Sequence, residues 1–285
     1  MTFEDTMNAV PRSVLADIQA RADTRNIRIN RVGVKELRAL VRVRQADGGE
    51  QPTVARLAMS VGLPGHVKGT HMSRFVEAIE SHAEALDLSE LQSLLEQMLA
   101  RLGADRGEIE VAFTYFIRKA APVSGVHSAL DHEVTLRAAR TPGSGTRLTL
   151  QVCVPVTSLC PCSKEISAYG AHNQRSHITI AAELRAPMCI EELVRIAEEE
   201  ASCEVYGLLK RPDEKFVTER AYENPKFAED LVRDIAVRLN AEPRIAGYRL
   251  TAENFESIHN HSAFAEIERD PEEGLREGPR PADRD

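Results

Sequence analysis

Two cysteines, Cys160 and Cys162, stand on either side of Pro161 in the segment SLCPCSKEIS. A thioredoxin-like redox pair has two intervening residues, so this spacing does not fit that chemistry. A structural zinc site ordinarily uses two pairs of Cys or His ligands, and the sequence has no second Cys pair at such spacing. The two thiols could therefore act as nucleophile or metal ligand, which the nearby Lys164 favours, or lie buried in a turn.

Histidines of the same half of the chain supply further donor atoms. His172 lies in the polar segment GAHNQ, a context that suits a ligand, whereas His177 begins an apolar run and is as easily structural. His259 and His261 are two residues apart in the segment HNH. Side chains at this spacing in an extended chain point to the same side, so both imidazoles could face one pocket. A polar surface turn is the alternative.

One thiolate, one or two imidazoles and a carboxylate would form a mixed site of sulfur, nitrogen and oxygen ligands. Such a set suits a catalytic transition metal, which keeps one position open for water. Spacing alone does not select the carboxylate. Six glutamates of this region are candidates: Glu165, Glu214, Glu223, Glu229, Glu253 and Glu256.

The composition limits the class of protein that carries these residues. The 285 residues are 42% hydrophobic and 28% charged, as in a globular protein. No apolar run of membrane-spanning length occurs, and a net charge of −8 argues against a nucleic-acid-binding surface. We therefore expect neither a membrane nor a nucleic-acid partner. The lack of an apolar signal segment and the odd number of cysteines predict a cytoplasmic protein without a disulfide framework.

Hydrophobic periodicity predicts the elements that would position the candidates. Strands are predicted over residues 27–43, 109–119, 132–140, 146–156, 176–184 and 244–257. One helix is predicted from Phe75 to Ala83, and two more over residues 189–201 and 224–240. Another is predicted to begin after Asp87, which is its N-cap and forms a capping box with Glu90. Asn224 is the predicted N-cap of the last helix. The polar stretches 210–215 and 222–227 are predicted to be loops that carry site residues.

The order strands, two helices, strands occurs twice, which predicts a tandem structural duplication. We expect a first unit over residues 26–143 and a second over 144–265 that carries most of the site. Residues 1–25 are predicted to be a flexible segment. Residues 266–285 are charged and rich in Pro and Gly, and we expect a disordered tail.

Three long motifs resemble the type IB GTP cyclohydrolase I family of prokaryotes. They are VTSLCPCSKEISAYGAHNQRSH, YENPKFAEDLVRDIA and ENFESIHNHSAFAEI, and the segment KGTHMSRF also fits. The resemblance covers about residues 25–266. It implies an α+β tunnelling fold of two tandem ββααββ-like units, with helices on one side of an antiparallel sheet. It also implies a homotetramer whose sheets join into a barrel, with active sites at subunit interfaces.

The reaction that the resemblance implies is hydrolysis of GTP to 7,8-dihydroneopterin triphosphate and formate, the first step toward tetrahydrofolate. The family's metal ligands fall on Cys160, His172, Glu214 and His259, for one divalent Mn, Zn or Fe ion per site. Cys160 matches the family's catalytic cysteine.

Other residues match substrate-handling roles. His261 is suited to proton transfer, and Glu256 matches the glutamate that holds the guanine edge, where a carboxylate can accept two N–H bonds. Lys164 and Arg175 flank the motifs and are inferred to contact the triphosphate. Three weaker candidates, which could reach the site of a neighbouring subunit, are Lys68, His71 and Arg74.

Three alternatives remain. A deazaguanine nitrile reductase of the same fold would use one cysteine and NADPH, but would not need the histidines. An archaeal iron-dependent cyclohydrolase would release a cyclic phosphate. A non-catalytic purine-binding protein would use the metal for folding only.

Overall fold

The computed structural model describes residues 18, 19, 21–80 and 87–271. Nine strands are present in this part: β1 (Ile29–Arg44), β2 (Glu50–Leu63), β3 (Gly107–Ala120), β4 (His127–Arg140), β5 (Thr146–Leu159), β6 (Asn173–Leu184), β7 (Cys203–Glu204), β8 (Ile245–Asn254) and β9 (Ala263–Arg269). The helices are α1 (Ser73–Glu80), α2 (Leu88–Leu102), α3 (Pro161–Ile166), α4 (Ile190–Glu200), α5 (Arg211–Glu223) and α6 (Ala228–Ala241). All the helices found there are too short or too polar to cross a lipid bilayer.

The strands form one antiparallel sheet in the order β1-β2-β3-β4-β5-β6-β8-β9, with the short β7 beside β5. The first half of the chain has the order β1, β2, α1, α2, β3, β4. The second half repeats it as β5, β6, α4, α6, β8, β9, with α3, β7 and α5 added. The predicted α+β class and the repeated order of elements are confirmed.

Helices α1, α2, α4 and α6 pack against one face of the sheet. Alternate residues of β5, from Leu150 to Val156, are buried against them, as the strand periodicity requires. Helix α2 contributes a stripe that includes Leu91, Leu95 and Met98 to the same core. This core is continuous from the first unit to the second, so one hydrophobic layer supports both halves of the sheet.

Helix α2 begins where the sequence predicts. The Asp87 carboxylate accepts hydrogen bonds from the backbone N–H groups of Ser89 and Glu90, at 2.8 and 2.9 Å. Gly103 ends the helix in the left-handed region, at φ 60°, where a residue without Cβ is favoured. Within the described structure the Glu90 side chain makes no return bond to Asp87, so the N-cap forms without a complete capping box.

Helix α5 differs from the sequence-based expectation, which places loops at residues 210–215 and 222–227. It buries only Asp213 and Ala221, so its sequence lacks the apolar stripe by which surface helices are recognised. The predicted N-cap role of Asn224 is wrong. Asn224 ends α5, and α6 begins at Ala228.

The chain termini depart from the prediction in part. Strand β9 includes residues 266–269, so disorder from residue 266 onward is wrong at its start. There the Arg249 guanidinium donates to the Glu266 carboxylate at 2.9 Å across the strand pair. Residues 272–285, residues 1–17 and the predicted helix end at Ala83 lie outside the described residues. Ala22 forms a β-bridge with Val67, so part of the expected flexible segment is attached to the fold.

A histidine lies in the core without a hydrogen-bond partner. His132 stands on β4 opposite Tyr115 and is 1% exposed. Neither ring nitrogen has a partner within the described structure. Burial lowers the pKa of His132 from 6.5 to about 4, and the nearby backbone of Cys153 offsets only part of this effect. The folded protein therefore keeps this ring neutral at neutral pH.

This burial predicts a loss of stability in acid. Below pH 6.5 the unfolded chain protonates His132 while the folded chain does not, so the free energy of unfolding falls as the pH drops toward about 4. The expected contribution is on the order of 3 kcal/mol. Urea denaturation between pH 7.5 and 4.5 measures it. His132→Leu should flatten this dependence, whereas His127→Leu, at an exposed position of β4, should not; equal slopes in both variants would contradict the prediction.

Candidate active site

The backbone fastens Cys160 to His172 at the ends of two neighbouring strands. Cys160 follows β5 and His172 precedes β6, and the Cys160 N–H donates to the His172 carbonyl at 3.1 Å. The His172 N–H donates to Ser163 Oγ at 3.2 Å, and that hydroxyl donates to the Cys160 carbonyl at 3.1 Å. Two of the predicted site residues are therefore held side by side by main-chain bonds.

The two cysteines of the CPC motif have different environments. Cys160 is half-buried and is the N-cap of α3, in the extended conformation that a following proline favours, at φ −70° and ψ 117°. Its Sγ accepts a hydrogen bond from the Ser163 N–H at 3.4 Å. Cys162 is exposed on the helix. All five cysteines are free thiols, and Cys160 is the partly buried one whose main chain is hydrogen-bonded to that of His172.

The His172 ring is oriented through its Nδ1 atom. Gln174 Oε1 lies 3.1 Å and Ser257 Oγ 3.3 Å from that nitrogen. An amide oxygen can only accept, so the contact assigns the proton to Nδ1. The Nε2 lone pair is then available to a metal ion, the arrangement in which protein histidines bind metals.

A buried chain of polar side chains continues from Gln174. Its Nε2 donates to Ser158 Oγ at 3.0 Å, Ser158 and Ser176 share a hydrogen bond of 2.7 Å, and Ser176 donates to Asn254 Oδ1 at 2.7 Å. All four side chains are buried, and they join β5, β6 and β8. The sequence-based prediction did not include them, although each lies in phase with buried aliphatic residues of its strand.

The loop between β8 and β9 folds over the start of β6, where His172 and Arg175 lie. The Phe255 N–H donates to the Arg175 carbonyl at 3.0 Å, and Ser257 reaches His172. Farther along, the rings of His259 and His261 stack with centroids 5.1 Å apart and planes 15° apart. The two imidazoles do lie together as the spacing suggested, but on a bent and exposed loop rather than an extended strand.

Glu214 does not join the other predicted ligands in the isolated chain. It is exposed in the first turn of α5, whose start is held by the buried Asp213 carboxylate to the backbone of Val123 and Ser124. The other end of α5 contacts α3, through Tyr222. Glu214 lies eight residues before Tyr222, which is about 12 Å along the helix, and so is held away from that contact. The described residues contain no group of three or more His, Cys, Asp or Glu side chains already placed to hold a metal.

The two residues predicted to contact the triphosphate, Lys164 and Arg175, differ in whether their charged groups already have partners. The Lys164 ammonium donates to the Tyr222 carbonyl at 2.6 Å and lies 4.6 Å from the centroid of the Tyr222 ring. Arg175 is exposed and, with Gln174, lines a cavity of about 280 Å³ between β6 and α5. Arg175 is therefore the better placed cation, because Lys164 would have to leave its partner to bind an anion.

The weaker candidates lie in the first unit, after β2. The Lys68 N–H donates to the Arg21 carbonyl, and the Arg74 guanidinium donates to the Arg101 carbonyl at 3.2 Å, at the end of α2. His71 precedes α1 on the same turn. The Lys68 and Arg74 contacts involve neither Cys160 nor His172.

Solved structures with a similar fold are urate-oxidising enzymes. A uricase from Arthrobacter globiformis has a TM-score of 0.50 and 8% sequence identity, with coverage of 90% of this chain and 96% of that one. A mutant urate oxidase from Bacillus sp. TB-90 also has a TM-score of 0.50 and 8% identity, with coverage of 85% and 100%. At this identity the similarity concerns the fold alone, and it confirms the predicted tunnelling fold.

Sequence comparison is far more specific. Residues 15–265 match the family described as type I GTP cyclohydrolase FolE2. A GTP cyclohydrolase FolE2 of Dechloromonas aromatica is 63% identical over 261 residues, which are 92% of this chain and 98% of the relative. One of Paraburkholderia xenovorans is 61% identical over 264 residues, 93% and 98% of the two chains. The resemblance carried by the CPC, GAHNQ and HNH motifs is confirmed, and the chain belongs to the type I GTP cyclohydrolase FolE2 family.

Proposed function

We propose that this protein is a GTP cyclohydrolase I that hydrolyses GTP to 7,8-dihydroneopterin triphosphate and formate, the first step of tetrahydrofolate biosynthesis. Its relatives carry the name GTP cyclohydrolase at more than 60% identity over nearly their whole length. The observation that carries the proposal is the pairing of Cys160 with His172, whose Nε2 is left free by the Gln174 contact. A thiol and an oriented imidazole at one strand end suit metal-assisted hydrolysis.

A divalent ion, with Mn, Zn and Fe as candidates, would be held by Cys160, His172, Glu214 and His259. The donor types fit such an ion, and the first two are already side by side. Glu214 and His259 complete the set only after movement of their segments or across a subunit contact. When bound, the ion lowers the pKa of a coordinated water to near 7 and so supplies a nucleophile at neutral pH.

The remaining site residues act on the substrate. Glu256 accepts N–H bonds from the guanine edge and so orients the base. His261 donates a proton to guanine N7, which makes C8 electrophilic toward water, and the imidazole ring of the base opens to a formamide. A second water releases formate, and the ribose then rearranges and closes onto the pyrimidine amines with loss of one water. Arg175 and Lys164 contact the triphosphate. Lys68, His71 and Arg74 serve the site of a neighbouring subunit.

We further propose a cytoplasmic homotetramer with active sites between subunits. Strands β1 and β9 form the two edges of the described sheet, and open edges of this length pair readily with another chain. Apolar side chains are exposed on both edge strands, with Leu40 of β1 70% and Phe264 of β9 73% accessible. Pairing of these edges would cover them. The free thiols fit a reducing compartment.

Gln174 is expected to position His172 for metal binding. Gln174→Met keeps the side-chain volume but removes the contact with Nδ1, so the affinity for a divalent ion should fall about 10- to 100-fold. Competition with a chromophoric chelator for Zn²⁺ measures this on the apo-protein. Ser176→Ala, two links farther along the chain of hydrogen bonds, should have a smaller effect. Unchanged affinity in a folded Gln174→Met protein would contradict the role.

The function is tested by incubating apo-protein with GTP and Mn²⁺, Zn²⁺ or Fe²⁺ while pterin fluorescence and formate are measured. We expect metal-dependent formation of the triphosphate product. Release of a cyclic phosphate, seen by mass spectrometry, would instead indicate the archaeal type of reaction. Metal-independent consumption of NADPH with a deazaguanine nitrile would indicate a reductase.

A further inference from the structure

A second polar cavity lies at the opposite end of the sheet from Cys160. It has a volume of about 310 Å³ and is open between the start of β5 and the ends of β2 and β4. Strand β5 has 14 residues, which places this cavity about 40 Å from Cys160 along the strand. Five arginines line it: Arg31, Arg106, Arg137, Arg140 and Arg147.

The positive charge of this cavity is only partly balanced. Glu108 and Glu183 are the acidic residues of its lining, so five arginines against two glutamates leave three positive charges, in a chain whose net charge is −8. Glu108 lies 2.6 Å from Arg137 and 3.5 Å from Arg31. Arg140 and Arg147 pair with no carboxylate in the described part of the chain. Clustered like charges repel, so the arrangement favours a bound anion.

Arg106 is placed in the cavity by its neighbours. The β-carbon of any larger residue at position 62 would lie 2.4 Å from Arg106 Cδ, so the arginine stem rests on the bare backbone of Gly62. The Gly62 N–H donates to the Arg106 carbonyl at 3.2 Å. Arg106 Nε is enclosed and makes no hydrogen bond within the described structure, and the carboxylate oxygen it faces, Asp105 Oδ1, lies 3.7 Å away on a largely exposed side chain. A buried donor without a partner is costly, and a ligand oxygen would satisfy it.

We propose that this arginine pocket is a second anion site, which binds a small molecule through a diphosphate or triphosphate group. Guanidinium groups pair with phosphate oxygens through two parallel N–H bonds, so several of them around one cavity suit a chain of phosphates. A single carboxylate would balance only one of the three positive charges of the lining, whereas a diphosphate or triphosphate group can balance all three. The site is independent of the reaction proposed for Cys160.

Calorimetric titration of the whole protein with inorganic tripolyphosphate tests the site. The double variant Arg140→Gln/Arg147→Gln should lose one binding site per chain, or bind there at least tenfold more weakly. Arg195→Gln/Arg233→Gln removes two exposed arginines from α4 and α6 and should bind as the wild type does. Gly62→Ala keeps every charge but displaces Arg106, and it should also weaken binding. Parallel titrations with pyrophosphate and ATP distinguish an inorganic ligand from a nucleotide.

Three results would overturn the proposal. Equal tripolyphosphate binding in wild type and the Arg140/Arg147 variant would show that the pocket takes no polyphosphate. Equal weakening in the α4/α6 control would show a non-specific effect of net charge. A raised KM for GTP, or a change of subunit number in sedimentation, would assign the arginines to a neighbouring copy's active site or to a subunit contact.

Discussion

Cys160→Ala should lower kcat for GTP by at least about 1,000-fold and leave the protein folded. The substitution removes the thiol that we propose as metal ligand and catalytic group. It does not remove the Cys160 N–H bond to the His172 carbonyl, which belongs to the main chain. The strand ends should therefore keep their arrangement. Pterin fluorescence measures turnover, and circular dichroism with gel filtration verifies the fold and the subunit number.

The chain contains a matched control for this experiment. Cys162 lies two residues farther along, on the same short helix, and its thiol is exposed. Cys162→Ala should retain most of the wild-type activity. A fully active Cys160→Ala protein would remove Cys160 from the mechanism. Equal loss in both variants would mean that the integrity of α3, rather than one thiol, limits turnover.

Elements with a strong apolar period could be predicted from the sequence, and those without one could not. Strand β5 and helix α2 bury regular aliphatic stripes, and their positions agree with the prediction to within a few residues. Helix α5 buries little beyond Asp213, so nothing in its hydrophobicity distinguishes it from a loop. Strand β9 alternates charged residues with Ala265 and Ile267, and a segment with this charge content predicts disorder.

In the candidate site, too, the sequence predicts some residues and not others. The family resemblance implies Cys160 and His172 as ligands, and their main chains are hydrogen-bonded. The supporting residues cannot be recognised by type, because Ser and Gln are common on exposed surfaces and only their strand position marks them as buried. Gln174 and Ser176 lie on the same buried face of β6 as Ile178. Polar side chains are buried there because hydrogen bonds, such as that of Ser176 with Ser158, satisfy them. Contacts between strands, such as Ser158 with Ser176, depend on register and not on local sequence.

Removing the metal should abolish turnover without unfolding the protein. The continuous hydrophobic core includes neither Cys160 nor His172, and both residues are held by main-chain bonds and by the buried chain that begins at Gln174. These interactions need no ion. An ion present at a hundred times its Kd stabilises a folded protein by about 2.7 kcal/mol. For a chain of this size, its loss corresponds to a Tm lower by about 5–10 °C.

Dialysis against a chelator, followed by thermal unfolding and by activity measurements, tests this expectation. The chelated protein should unfold in one cooperative transition and regain turnover when Zn²⁺ or Mn²⁺ is restored. Cys160→Ala serves as the control, because its Tm should respond little to the same chelator once the thiolate ligand is gone. Unfolding of the wild type on chelation at room temperature would instead make the metal structural, as in a non-catalytic purine-binding protein. The hydrogen bonds at the strand ends would then be too weak to hold Cys160 and His172 together on their own.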